Sequence, residues 1–205
     1  MEINNPKVWN FQGYPILQFA SNFELNDEEA QFINELEFRE NVSNFMTKEF
    51  FILNDKKFKR IKDMFNHGME YYTKKVLEIS DALQMENSWI TLNKRFQNHH
   101  DHDHQNVLFS MCYYPQIEDG AFCVTFQRSI LQQGYNFSYT IINPNEYNGN
   151  RHQIPIKAGD CIIFPAWLFH SSTPNTSEVE RYMIGANYFL RGTLGSEIIG
   201  DLLTI

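Results

Sequence analysis

The chain of 205 residues contains 42% hydrophobic residues and 18 phenylalanines, enough apolar material for the core of one globular domain. Its formal net charge of -8 argues against a broad surface that follows nucleic-acid phosphates, because such a surface needs clustered lysine and arginine. These properties exclude a disordered chain and disfavour nucleic acid as a partner.

The cysteines and the start of the chain indicate the compartment. Cys112, Cys123 and Cys161 lie in separate apolar runs without paired spacing, which is typical of reduced thiols. The opening MEINNPKVWN has no basic region followed by an apolar run, and no apolar stretch reaches the length of a membrane span. We therefore expect a cytoplasmic protein with no membrane partner; a homo-oligomer is compatible with the sequence.

Two helices are predicted in the front part of the chain. In NDEEAQFINELEF, Asn26 is the expected N-cap and acidic residues fill the first turn. A second helix is predicted from about Asp55 to Ile79, and Gly68 predicts a kink or break within it. Residues 1–87 are expected to form a helical support.

From Ser88 onward the sequence has short runs of aromatic and β-branched residues, separated by Gly, Asn and Pro. Strands are predicted near residues 88–96, 107–115, 121–127, 136–142, 152–157, 160–164, 167–172 and 181–190. Eight short strands indicate a barrel or a two-sheet jelly roll with the helices on one outer face. The expected fold class is α+β, mainly β, in a single domain over residues 1–205 whose β core spans about 88–195.

The segment NHHDHDHQN, residues 98–106, places imidazoles and carboxylates at alternate positions. In an extended chain alternate side chains share one side, so two of these groups can bind one metal ion. A third ligand is available at His170, after the Phe-Pro break in AGDCIIFPAWLFHSS. Two neighbouring ligands and one distant His match the facial arrangement of non-haem iron oxygenases.

Arg181 begins the strand after His170 and is predicted to reach into the barrel, where its guanidinium can bind a carboxylate. Met183, Gly185, Asn187 and Phe189 share its face on the alternation of that strand.

Each of these residues also has a simpler interpretation. The cluster could be a solvated loop that binds metals adventitiously, and His170 could be a hydrogen-bonded core histidine. Arg181 could form a surface ion pair with Glu178 or Glu180.

Three blocks of the sequence, in this order, resemble a known family. They are SWITLNKRFQNHHDHDH leading into FSMCYY, then IPIKAGDCIIFPAWLFHSSTPN, then RYMIGANYFLRGTLG. Over roughly residues 88–195 the chain resembles the 2-oxoglutarate/Fe(II)-dependent oxygenases of bacteriophages and marine bacteria, including prolyl-hydroxylase-like members. The resemblance implies a double-stranded β-helix, and the cytoplasm of a host if a phage encodes the chain.

The resemblance also implies a ligand set of a His-x-Asp or His-x-His pair with His170. Counted from the flanking strands, the pair falls on His102 and His104; read literally as His-x-Asp, it falls on His99 and Asp101. Both placements stay open here. At Met111 the family usually has glycine, so we expect this side chain to narrow the pocket floor.

The implied cofactors are Fe(II) and 2-oxoglutarate, with O2 as second cosubstrate and succinate and CO2 as products. Arg181 would bind the distal carboxylate of 2-oxoglutarate, and Tyr114 and Asn93 are weaker candidates for cosubstrate binding. No catalytic residue is predicted beyond the metal site. The expected function is hydroxylation of an unidentified peptide residue or small molecule. The alternatives are a cupin-like metal-binding protein or metalloenzyme that does not use 2-oxoglutarate, and a non-catalytic β-barrel interaction module.

Overall fold

The computed structural model describes residues 3–11, 13–80, 82–118, 120, 122–127, 140, 142–143, 149, 151–195 and 197–205. The strands, numbered in chain order, are β1 (Asn4–Phe11), β2 (Tyr14–Ala20), β3 (Phe38–Glu40), β4 (Phe45–Thr47), β5 (Ala82–Asn93), β6 (Phe109–Tyr113), β7 (Cys123–Gln127), β8 (Arg151–Pro155), β9 (Asp160–Pro165), β10 (Phe169–Ser172), β11 (Arg181–Arg191), β12 (Thr193–Leu194) and β13 (Leu203–Thr204).

Most strands belong to two antiparallel sheets. The major sheet has eight strands in the order β1-β2-β9-β6-β11-β5-β4-β3, and the minor sheet has the order β10-β7-β8. In the major sheet β11 lies between β5 and β6, with Arg181 opposite Asn93 and Met183 opposite Thr91. The strand predicted near residues 136–142 falls almost entirely outside the described residues.

The helices lie where the sequence predicts them. Helix α1 (Asp27–Glu35) begins with a capping box in which the Asn26 side chain accepts from Glu29 N and the Glu29 side chain accepts from Asn26 N. Helix α2 (Lys59–Tyr71) follows a short 3-10 turn and continues as a π-helical segment (Tyr72–Val76). No described helix combines the length and the apolarity needed to span a bilayer.

The predicted break at Gly68 does not occur, because α2 continues through it. A Cβ at Gly68 would lie 3.0 Å from Met111 Cε and 3.0 Å from Phe19 Cζ. Glycine is needed there because the helix packs closely on the sheet. Met111 is fully buried in this contact, so the expectation that it narrows the pocket floor is wrong.

The front part of the chain also contains four strands that were not predicted. Strands β1 to β4 extend both edges of the major sheet, with β2 beside β9 and β4 beside β5. The helical support over residues 1–87 is therefore a mixture of helices and edge strands.

The core has two parts, separated by the major sheet. One part packs α1 and α2 against the outer face of the sheet, around residues such as Phe65, Tyr113 and Ile184. The other part fills the space between the two sheets, around Phe126 of the minor sheet and Phe164 of the major sheet. This arrangement confirms the mainly β prediction with helices on one face, and it leaves the inner space between the sheets for a site.

Candidate metal centre

The main chain brings the histidine-rich segment beside β10. His102 N donates to His170 O at 2.9 Å, and His170 N donates to His102 O at 2.8 Å. His104 N donates to Ala166 O at 2.9 Å. Ligand candidates some seventy residues apart in sequence are therefore held together by backbone hydrogen bonds.

Three imidazoles converge at this point. One ring nitrogen from each of His102, His104 and His170 lies within 4.8 Å of the others, an arrangement that could hold a metal ion. The His102 ring centroid is 4.3 Å from that of His170, and the two Nε2 atoms of His102 and His104 are 3.1 Å apart.

Hydrogen bonds to the outer ring atoms fix which nitrogen of each ring faces inward. His102 Nδ1 is 2.8 Å from the carbonyl oxygen of His100, and His170 Nδ1 is 2.8 Å from that of Leu168. A carbonyl only accepts, so each Nδ1 carries the proton. Each Nε2 therefore presents a lone pair to the cluster.

The side-chain carboxamide of Asn187 fixes the ring orientation of His104. His104 Nδ1 is 2.8 Å from Asn187 Oδ1 and 2.7 Å from Ser110 Oγ, and the Ser110 hydroxyl donates to Asn187 Oδ1 at 2.6 Å. Asn187 Nδ2 donates to Asn87 Oδ1 at 3.0 Å, which sets the orientation of the amide. The sequence placed Asn187 on the Arg181 face but gave no sign of its contact with His104.

These tautomers favour a cation within the cluster. Two lone pairs that face each other at 3.1 Å repel, unless a positive charge lies between them. Two imidazoles at right angles on one metal, with bonds of about 2.1 Å, would have nitrogens about 3.0 Å apart. The donor set therefore fits a divalent transition metal.

Burial also disfavours a proton in place of the metal. Burial is the main cause that lowers the pKa of His104 to about 4. Burial also lowers the pKa of His102, and it lowers that of His170 well below the usual value. Burial thus favours the neutral form of all three rings, which is the form that binds metals.

The other pair suggested by the sequence lies differently. The His99 ring stacks on His102 with centroids 4.4 Å apart, and burial lowers the pKa of His99 well below its usual value. Asp101 Oδ2 accepts from Arg151 Nη2 at 3.0 Å, in an exposed ion pair. Asp101 is thus engaged with Arg151 and is not among the three residues whose ligand atoms converge.

A cavity between the two sheets is lined by the histidines and by Arg181. Its walls come from both sheets and include the side chains of Trp89, Thr91, Asn93, His99, His102, His104, Cys112, Tyr114, Phe122, Val124, Phe164, His170, Ser171, Ser172, Arg181 and Met183. The three converging histidines, Arg181, Tyr114 and Asn93 thus line one space.

Arg181 is held firmly in the wall of this cavity. Only 4% of the residue is exposed, and its Nη2 donates to the Thr173 carbonyl oxygen at 2.8 Å. Its Cζ lies 3.9 Å from the centroid of the Phe122 ring. The simpler alternative of a surface pair with Glu178 is wrong, because Glu178 pairs with Arg95 instead.

Two buried donors on β5 face the cavity without a partner in the described part of the chain. They are the Thr91 hydroxyl and the Asn93 amide nitrogen, on residues that are 1% and 3% exposed. Burying a polar group without a hydrogen bond costs about 1–3 kcal/mol, so these atoms indicate a polar ligand. Strand alternation from Asn93 could have identified Thr91.

Tyr114 is less available to a ligand. Its phenol is buried, and burial raises the pKa of Tyr114 well above its usual value, so the hydroxyl is neutral. The Cys112 thiol, which also lines the cavity, is a further cause of this rise in the pKa of Tyr114.

Three solved structures with a fold similar to that of this chain are described here by their TM-scores and sequence identities. The non-haem alpha-ketoglutarate-dependent epimerase SnoN from nogalamycin biosynthesis has a TM-score of 0.62 at 14% identity, over 94% of this chain and 84% of that one. HygX from Streptomyces hygroscopicus, solved with nickel, 2-oxoglutarate and hygromycin B, has a TM-score of 0.57 at 12% identity, over 85% and 82%. A Pseudomonas putida prolyl-4-hydroxylase has a TM-score of 0.53 at 10% identity, over 80% and 82%.

At these identities the likeness concerns the fold, and it confirms the predicted double-stranded β-helix. No curated protein sequence matches the chain. A family model described as "Putative 2OG-Fe(II) oxygenase" matches residues 87–187. That span contains the histidine cluster, cavity-lining strands and Arg181, so the match to the 2OG-Fe(II) oxygenase family, enzymes that use Fe(II), 2-oxoglutarate and O2, covers the residues of the site.

Proposed function

We propose that His102, His104 and His170 ligate one ferrous ion and that the adjacent cavity binds 2-oxoglutarate, with Arg181 on its distal carboxylate. The enzyme then hydroxylates a substrate that enters from the open side of the histidines. The observation that carries this proposal is that three imidazoles with converging ring nitrogens and one buried guanidinium line the same cavity.

The cavity walls support the binding of a dicarboxylate. The Arg181 guanidinium is oriented by the Thr173 carbonyl and by the Phe122 ring before a ligand arrives, which lowers the entropy cost of binding. The unpartnered Thr91 hydroxyl and Asn93 amide can donate to carboxylate oxygens, because a carboxylate accepts several hydrogen bonds.

Other residues around the site exclude water or hold the histidine rings in position. When bound, iron and 2-oxoglutarate would activate O2, one oxygen atom of which oxidises the substrate while the other enters succinate as 2-oxoglutarate loses CO2. Phe164, Val124 and Met183 surround the space with apolar groups that exclude water. The carbonyls of His100 and Leu168 and the Asn187 amide hold the three rings in position.

The ligand set departs from the usual two histidines and one carboxylate. Three neutral imidazoles, one of them supported by a neutral amide, leave more positive charge at the metal, which favours an anionic cosubstrate. The same all-imidazole set supports the alternative function, a cupin-like metal protein that does not use 2-oxoglutarate.

A spectroscopic titration separates these functions. Untagged protein is loaded anaerobically with Fe(II) and titrated with 2-oxoglutarate, and the visible metal-to-ligand absorption band is recorded. We expect the band to appear in the wild type and in Arg95→Met, which removes an exposed arginine, but to need more than about tenfold higher 2-oxoglutarate in Arg181→Met.

Iron binding without the band would favour the cupin-like alternative. Failure to bind iron at the histidines would overturn both functions and favour the non-catalytic interaction module. Arg181→Lys keeps a positive charge without the planar fork, so an intermediate affinity in this variant would support a carboxylate beside Arg181.

A further inference from the structure

A second recess shares two of the histidines with the inner cavity; we call it the outer recess. His102 and His104 line both spaces. The large apolar side chains in the wall of the outer recess are Met46, Phe50 and Trp89, and the exposed Phe50 is where the recess reaches solvent. A substrate in the outer recess therefore lies beside the proposed metal ligands.

The register of the major sheet places Arg39 on the same face as this site. Arg39 of β3 lies opposite Met46 of β4, and Met46 lies opposite Thr91 of β5. Directly opposed residues of antiparallel strands have their side chains on one face of the sheet. Because Thr91 lines the inner cavity, the Arg39 side chain lies on the inner face, whereas the next residue, Glu40, lies on the other face.

Two residues of the outer recess contact the Arg39 guanidinium. Its Cζ lies 5.3 Å from the centroid of the Phe50 ring, and its Nη2 lies 3.7 Å from Met46 Sδ. An aromatic face and a thioether sulfur are weaker partners for a guanidinium than a carboxylate is. Arg39 is exposed, so most of its N–H donors are accessible to a ligand in the recess.

Arg39 differs from the other described arginines because it pairs with no described carboxylate. The acidic residues close to it in sequence are used elsewhere: Glu37 pairs with Lys48, and Glu49 lines a different recess. Of the other described arginines, Arg181 lines the inner cavity, and the rest pair as Arg60 with Glu29, Arg95 with Glu178, Arg151 with Asp101 and Arg191 with Glu86.

The acidic groups around the outer recess do not compensate this charge. No aspartate or glutamate is among the described residues that line the recess. The two aspartates of the histidine-rich segment have other partners, since Asp101 pairs with Arg151 and Asp103 accepts from Gln105 Nε2 at 3.0 Å. The Arg39 guanidinium therefore has no acidic partner beside the recess, and an anionic substrate would supply one.

We infer that the substrate carries an oxyanion, a carboxylate or a phosphate ester, which binds the Arg39 guanidinium while the carbon to be oxidised lies at the metal. This inference rests on the proposed function. A guanidinium binds either oxyanion through two parallel N–H bonds. An apolar body between the two ends of the substrate would pack on Met46, Phe50 and Trp89.

The sheet sets the approximate length of such a substrate. Trp89 of β5 packs beside the His104 ring, with centroids 5.4 Å apart, and Arg39 lies two strands away on β3. Neighbouring strands are about 4.8 Å apart, so the oxyanion and the oxidised carbon are separated by roughly 10 Å.

Four probes that differ in the head group test this inference: phenylpentanoate, phenylpentyl phosphate, phenylpentanol and phenylpentylamine, each with the phenyl ring on the terminal carbon. The protein carries Zn(II) in place of Fe(II) and saturating 2-oxoglutarate, and affinity is measured by saturation-transfer NMR. We expect the carboxylate and the phosphate to bind at least about threefold more tightly than the alcohol, and the amine to bind least tightly.

Variants of exposed cations locate the binding group. Arg39→Met should weaken binding of both oxyanions about 3- to 10-fold, between the effects of an exposed ion pair and of a charge-assisted hydrogen bond, and should leave the alcohol within about twofold. Lys48→Met is the matched control, because it removes an exposed positive charge at the same edge of the sheet but outside the recess. Arg39→Lys should give an intermediate affinity.

The orientation of the probe is a second measurement. With Mn(II) in place of Zn(II), the paramagnetic ion broadens the NMR lines of the nearest protons most. We expect the phenyl protons to broaden more than the methylene protons beside the oxyanion, because Arg39 holds the oxyanion away from the metal.

The inference would be overturned by equal or tighter binding of the alcohol or the amine, or by a loss in Arg39→Met that the alcohol or the Lys48→Met variant also shows. Stronger broadening beside the head group would place the oxyanion at the metal and would also overturn it. A wild-type protein that forms no Fe(II)-2-oxoglutarate band contradicts the proposed function instead, so the two failures are distinguishable.

Discussion

Along β6 and the residue after it, Met111 and Tyr113 face the helices, whereas Ser110, Cys112 and Tyr114 face the space between the sheets. On the helix side the buried phenol of Tyr113 donates to the Phe23 carbonyl oxygen at 2.7 Å.

The side that faces the space between the sheets contains buried polar atoms without a described hydrogen-bond partner. The Thr91 hydroxyl and the Asn93 amide nitrogen are buried there without described partners, close to a buried arginine. One face of the sheet is thus built for stability, and the other keeps costly polar atoms that a ligand would satisfy.

On the inner face, the largest expected effect is the loss of metal binding when one of the proposed histidine ligands is removed. His170→Ala should weaken metal binding by more than about 100-fold, since even partners that only support a ligand are worth 10–100-fold. Metal content of untagged protein after dialysis measures the effect. His152→Ala is the control, because that ring packs against Trp9. Equal metal content in both variants would contradict the assignment.

The helix face should respond in stability alone. Met111 is fully buried between the sheet and α2, so Met111→Ala should lower the free energy of unfolding by about 2–5 kcal/mol. Urea denaturation measures this change. Affinity for iron and 2-oxoglutarate should stay within about twofold of the wild type, and a large loss of affinity would show that the two faces are not independent.

The inner face should also make the metal-free protein sensitive to acid. The pKa of His104 is about 4 in the folded state and near 6.5 when unfolded, so the unfolded state binds more protons between these values. The free energy of unfolding should therefore fall as the pH drops from about 6.5 to about 4, by roughly 3 kcal/mol from this residue. Urea denaturation across this range, compared with His104→Leu, measures the contribution; an equal slope in the variant would contradict it.

A single methyl-for-hydroxyl exchange gives the smallest and sharpest test. Thr91→Val removes a buried hydroxyl that has no described partner, so the ligand-free protein should become more stable by about 1 kcal/mol. The same change should weaken 2-oxoglutarate binding about fivefold. Thermal denaturation and the absorption titration measure the two effects. A variant that loses stability and keeps its affinity would show that Thr91 is a structural residue.

The sequence predicted the helices and most core strands because their patterns are local. Asn26 is the predicted N-cap of α1, and the strands Asp160–Pro165 and Arg181–Arg191 lie where the apolar runs indicated. Strands β1 and β3 were missed because edge strands need no continuous alternation; β1 contains Pro6, which an edge tolerates.

The site could be predicted only in part. Both ligand pairs, His102 with His104 and His99 with Asp101, have the same spacing in an extended chain. The hydrogen bonds of His102 to β10 place one pair opposite His170, and this register depends on tertiary structure. The unpartnered state of Thr91 and the tight contact at Gly68 depend equally on residues far away in the sequence.

The reciprocal backbone bonds between His102 and His170 make the distance between those positions a property of the main chain. The donor atoms can therefore be exchanged while their anchor points stay fixed. An aspartate introduced by His104→Asp would convert the triad into two imidazoles and a carboxylate on the same frame, so the electronic character of the centre can be tuned without refolding the barrel.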